Sequence, residues 1–176
     1  MKCFLCGIFC LCLIIVMGYA TSPPQPESVR FQITADWDLQ HPYSQAVPGK
    51  YSILELVPKG QTIDNWTELL TKQNFDKKSL DPSPEDFMSK LKALRQQRCK
   101  NVVWKVLQKT SSSILYEWRM ANCPPHPDQH EIARIIDGKW NRFRIAYTAK
   151  VKEISPDERK KWIDIFSAAE VVNGKK

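Results

Sequence analysis

Gln129–Asp137 (QHEIARIID), the link Gly138-Lys139-Trp140-Asn141, and Arg142–Val151 (RFRIAYTAKV) form the stretch whose reading decides the fold. In the last run Phe143, Ile145, Tyr147 and Ala149 alternate with Arg142, Arg144, Ala146 and Thr148. Alternation with period two marks a strand with one buried face. The glycine-containing link makes a tight turn, so the two runs form a hairpin. Upstream, Asn101–Gln108 and Ser113–Met120 read as two more strands, turning at Thr110-Ser111-Ser112. Connections this short favour an antiparallel meander of four strands.

Working outward, Val29–Ala35 alternates Val29, Phe31 and Ile33 with polar residues. Tyr51–Val57 is a more apolar strand, ended by Pro58-Lys59-Gly60. The segment between them carries Pro42, Pro48 and Gly49 and reads as a loop. Three helices are expected. The first is Ile63–Phe75, with Asn65 as cap, Glu68 closing a capping box, and Trp66, Leu69 and Leu70 on its apolar side. The second and third start at Ser83-Pro84-Glu85-Asp86 and Ser155-Pro156-Asp157-Glu158. In both, serine caps, proline takes the first helical position, and acids meet the positive end of the helix dipole. Phe87, Leu91 and Leu94 then recur at helical spacing, as do Trp162, Ile165, Phe166 and Ala169. The expectation is one α+β domain over residues 29–176. Its mostly antiparallel sheet has about six strands and is covered on one face by three helices.

Residues 1–20 read as a signal peptide. Lys2 is charged, Cys3–Met17 is apolar, and Gly18 and Ala20 are the small residues that a cut after Ala20 requires. Residues 21–28 (TSPPQPES) follow as a proline-rich extended tether. The expected location is the periplasm or the medium. A competing reading makes residues 3–20 an inner-membrane anchor, because the uncharged run approaches the lower limit of about 17 residues for a span. The domain then still lies outside the cytoplasm. Neither Cys10 nor Cys12 is preceded by the small residues of a lipoprotein site.

Removing the first 20 of 176 residues leaves 156, enough for a proper core. Of the formal charge of +7, Lys2 supplies one, so +6 remains. Of six cysteines only Cys99 and Cys123 survive the cut, and an even number in an oxidising compartment implies a disulfide. A hairpin turning at Thr110-Ser111-Ser112 pairs residues whose numbers sum to about 222, and these two cysteines fall in that register.

No residue pattern announces catalysis or a cofactor. Cys123-Pro124-Pro125-His126-Pro127-Asp128-Gln129-His130 has some of the spacing of a zinc site, which makes His126 and His130 weak metal candidates. The prolines work against the helix that usually presents such ligands, and an oxidised cysteine cannot ligate. Neither a Gly-x-Ser-x-Gly elbow nor a glycine-rich phosphate loop occurs. Asp36 and Asp38 flank Trp37 as the only carboxylate pair of note. Asn65-Trp66-Thr67 fits the glycosylation pattern, but its place suggests a helix cap. Arg142 and Arg144 project from one face of the last strand, with Lys150 along it and Lys139 at its start. If no helix covers that face, it forms a basic surface for an anionic partner, with Trp140 at its edge.

The segment 55–68 (ELVPKGQTIDNWTE) resembles one that recurs in small exported proteins of Gram-negative bacteria. There a strand ends in a Pro-x-Gly-Gln turn and an Asn-Trp-Thr-Glu helix start follows. The resemblance implies bacterial origin and export and carries no activity with it. Function is therefore expected to be that of an exported binding or accessory domain for an anionic envelope component or a protein partner. No cofactor and no nucleic acid is expected, and membrane contact only through an uncleaved N-terminal segment. The alternative is a small exported hydrolase using His126 or His130 with a nearby acid.

Overall fold

The computed structural model describes residues 27–80 and 82–173. Its centre is the expected meander. β5 (Val103–Lys109), β6 (Ser113–Met120), β7 (Gln129–Asp137) and β8 (Asn141–Ala149) pair antiparallel in succession. The register of β5 on β6 sums to 222 from Val103–Arg119 to Val106–Tyr116, after which a bulge at Leu107 shifts it. A disulfide joins Cys99 to Cys123 with Cα atoms 5.6 Å apart.

Three further strands extend the sheet beyond β8. They are β2 (Tyr43–Val47), β3 (Tyr51–Leu56) and β4 (Glu68–Asp76), giving the order β2-β3-β4-β8-β7-β6-β5. A separate two-stranded ribbon pairs β1 (Glu27–Arg30) with β9 (Glu170–Asn173). Among the described residues the strand count is thus nine rather than about six. β2 escapes a reading by hydrophobicity because it is an edge strand with almost every side chain exposed. β9 is only four residues long and is defined by its partner at the other end of the chain.

The expected helix over Ile63–Phe75 is absent, and among the described residues the number of α-helices is two rather than three. Thr62 and Asn65 close a tight turn, and β4 follows it as a central strand between β3 and β8. Leu69 and Leu70 do not share a helix side. They point to opposite faces of the sheet, and both are buried. Glu68 closes no cap. It accepts a hydrogen bond from the Tyr147 hydroxyl at 2.9 Å. Pairing on both edges outweighs the local capping signal, because propensity is a weak prior against tertiary context.

The other two helices start where the sequence places them. α1 (Pro84–Arg98) is capped by Ser83, which accepts from the Asp86 amide at 3.1 Å. α2 (Pro156–Ser167) is capped by Ser155, which accepts from the Glu158 amide at 3.3 Å. They lie on opposite faces of the sheet, not on one. Under α2, Trp162 and Phe166 are fully buried with Leu115, Ile132, Phe143, Ile145 and Tyr147. The Trp162 ring stacks on Tyr147 at 4.5 Å. Each such side chain is worth about 1.5–3 kcal/mol of burial. Arg134 on β7 satisfies the open carbonyls at the end of α2, donating to Phe166, Ser167 and Ala169. Under α1, Met88 packs with Tyr116, Trp118, Ala133, Ile135 and Ala146.

Glu27 and Ser28, read as tether, belong to β1, and Glu27 is buried. Its carboxylate accepts from the backbone amides of Lys139, Trp140 and Asn141 at 2.7–2.9 Å and so clasps the β7–β8 turn. A Cβ at Gly138 would sit 2.6 Å from that carboxylate, which accounts for glycine there.

Candidate functional site

Alternation along β8 sends Arg142 and Arg144 to the face covered by α1, and both are buried. Arg142 donates to both oxygens of Asp137, at 2.5 and 3.0 Å, beneath the Phe87 ring. Arg144 donates to Glu131 at 2.5 Å, to Gln73 at 2.9 Å and to the Tyr116 hydroxyl at 3.1 Å. Glu131 also accepts from the Trp118 indole at 2.7 Å and from Thr148 at 3.0 Å. Burial opposes the Arg144 charge, but Glu131 and Tyr116 outweigh it and hold its pKa above the ordinary guanidinium value. These arginines are internal ties and present no basic surface. Lys150 and Lys139 do not join them. Lys150 sits over the Trp66 ring at 4.1 Å, and Lys139 over Trp140 at 4.7 Å.

The two histidines are also separated in role. His126 lies in the turn after Cys123, its amide bonded to the Cys123 carbonyl at 2.9 Å. Cys123 is oxidised, and among the described residues no group of three His, Cys, Asp or Glu is placed to hold a metal. His130 is buried on β7, on the face that carries α2. Its Nδ1 accepts the Ile154 amide at 3.0 Å. The neutral ring therefore carries its proton on Nε2, which faces Glu117 at 3.7 Å. Burial pushes the His130 pKa down, against the pull of Glu117, so the ring is neutral at pH 7.

His130 forms part of the floor of a cleft of about 700 Å³ between β5, β6, β7 and the first turn of α2. Its side chains come together by simple rules. On β6, Glu117 and Arg119 are two residues apart and share the face opposite Trp118. On α2, Arg159 sits one turn past the Ser155 cap and reaches back to Glu117 at 2.6 and 2.9 Å. This is the bidentate fork that guanidinium and carboxylate favour. Burial raises the Glu117 pKa, but Arg159, with His130 and Lys105, brings it below the usual carboxylate range. At the rim half-buried Arg119 pairs with exposed Glu153 at 2.6 Å. Lys105 completes the set and makes no ion pair among the described residues. Three cations thus face two carboxylates and a neutral histidine with its proton on Nε2.

The set places guanidinium and ammonium donors beside an ionised carboxylate and an imidazole that carries its proton on Nε2. Of the charged and titratable residues of the cleft, the sequence marks only His130 as a functional candidate. The visible signal was a charged pair, Glu117 and Arg119, at alternate positions of an otherwise apolar strand. No family model, curated protein or solved structure matches the chain. Its functional reading therefore rests on this geometry.

Proposed function

We propose that this chain is an exported binding or accessory module, and that the cleft beside Arg159 receives the anionic group of an envelope partner. The observation that carries this reading is the convergence of Lys105, Arg119, Arg159 and the His130 N–H on one open cleft. The signal-peptide pattern of residues 1–20 lies outside the described residues and supports export as a sequence argument. The Cys99–Cys123 disulfide fits an oxidising compartment. Among the described residues, no helix is long and apolar enough to cross a membrane.

Recognition by this set is electrostatic at the rim and directional at the floor. Exposed Lys105 and half-buried Arg119 stand at the solvent rim, so they steer and hold an incoming anion through water and weaken as salt screens them. Arg159 and His130 are held by Glu117 and Ile154 and offer fixed donors. The test is capture of a partner from envelope extract by the native protein and by a Lys105→Ala/Arg119→Ala variant, each at low and high salt. Lys105 is exposed and Arg119 half-buried with one rim ion pair to Glu153, so thermal unfolding of the variant serves as the fold control. Capture should fall in high salt and in the variant. Capture that is equal in all four arms refutes the reading.

A further inference from the structure

The same face of the sheet carries a second site, at its other end. α2 covers the β7–β8 half, and the β1–β9 ribbon lies beside it. Neither reaches across β2, β3 and the middle of β4. The strip that no described residue covers holds two adjoining cavities that share Leu54 and Lys72 in their walls. One, of about 400 Å³, runs under the ribbon, with Leu56 and Leu70 as floor and Phe31, Ile33 and Val172 as walls. The other, of about 370 Å³, continues over β2 and β3 toward Asn74. Either volume falls in the range of about 300–1,000 Å³ typical of small-molecule sites.

Charge decides what fits there. No Asp or Glu lines either cavity. Lys72 stands where they meet, half-buried. Its ammonium donates to the Ser28 hydroxyl at 2.8 Å and has no carboxylate partner among the described residues. Arg30, at the ribbon end, is already occupied by Glu170. Two residues along the same face from Lys72, the Asn74 side-chain oxygen is shut off from water without a hydrogen-bond partner. Turning that amide over would present its NH2 group to an acceptor. An apolar trough with one uncompensated cation at its middle suits a ligand with an alkyl chain and an anionic end.

We infer that this groove binds a single-chain fatty acid, with the alkyl chain on Leu54, Leu56, Leu70 and Phe31 and the carboxylate on the Lys72 ammonium. Burial pushes the Lys72 pKa below the usual lysine range, and a carboxylate beside it would reverse that shift. This site does not rest on the anion-binding cleft beside Arg159, and either can fail alone.

The experiment is calorimetric titration of the oxidised, exported protein with octanoate, decanoate and dodecanoate below their micelle concentrations, and with dodecanol. Affinity should rise about fifteenfold for each two added methylenes while the groove fills. Lys72→Met should weaken dodecanoate at least tenfold and leave dodecanol unchanged. That variant loses no ion pair, and its thermal unfolding serves as the fold control. Leu54→Asp, on the groove wall, should abolish binding of both ligands. The inference is overturned if dodecanoate shows no saturable binding. It is also overturned if Lys72→Met weakens acid and alcohol alike, or if the groove instead buries itself in a dimer that dodecanoate does not dissociate.

Discussion

Replacing Arg144 by methionine removes a cation enclosed by its own partners. In the native protein Glu131 is 3 % exposed and accepts from Arg144 at 2.5 Å. Without Arg144 that carboxylate stays buried with hydrogen bonds from the Trp118 indole and Thr148 hydroxyl, and with Arg95 as the neighbouring cation. Breaking a buried pair from one side costs about 3–5 kcal/mol. The freed Gln73 and Tyr116 groups add a smaller loss that neighbours can partly recover. Against a typical total stability of about 5–15 kcal/mol this is a large fraction. At about 2–4 °C per kcal/mol for a domain of this size, the melting temperature should fall by about 6–20 °C. The assay is urea unfolding of the oxidised protein followed by tryptophan fluorescence, with Arg144→Met, Glu131→Gln and the double variant. The double variant should recover at least half of the single loss, because the unpaired charge is gone. Lys150→Met is the control. Its ammonium only lies over Trp66, and the change should cost no more than about 1 kcal/mol. An Arg144→Met loss below about 1 kcal/mol would place the guanidinium at the surface and refute the reasoning.

Two other measurements bear on the same framework. Opening the disulfide as Cys99→Ala/Cys123→Ala, with 24 residues of separation, should lower stability by about 3–4 kcal/mol in the chain-entropy picture, read as a shift of the urea midpoint at constant slope. Burial raises the Glu55 pKa above its unfolded value, despite the Thr71 hydroxyl and the Arg144 charge. Its ionised form therefore costs stability at neutral pH, and the cost disappears as pH falls below the unfolded carboxylate value. Glu55→Gln should raise the melting temperature at pH 7 and leave it unchanged near pH 3. An equal change at both pH values would assign the effect to packing.

The failure over Ile63–Phe75 shows what a one-dimensional reading misses. Asn65, Trp66, Glu68 and the two leucines make a plausible amphipathic helix on paper. The same residues make a strand when β3 and β8 stand on either side. Helix signals are local, whereas the partners that turned this segment into β4 lie up to about 80 residues away. The basic patch failed for a related reason. Alternation correctly put Arg142 and Arg144 on one face of β8, but it could not say which face α1 would cover. The cleft was hidden because its residues come from β5, β6, β7 and α2, and none of these segments carries a motif by itself.

What the sequence determined by itself is what short-range physics controls. The meander follows from alternation and tight turns, the starts of α1 and α2 from Ser-Pro-acid caps, and the Cys99–Cys123 pair from counting across one turn. The tertiary structure alone decided the pairing of β1 with β9, the seating of Glu27 in the β7–β8 turn, the burial of Arg144 against Glu131, and the meeting of Arg159 with Glu117. Each of these joins elements whose approach depends on how the sheet and helices pack. A long-range contact leaves no periodic trace in either of the segments it connects.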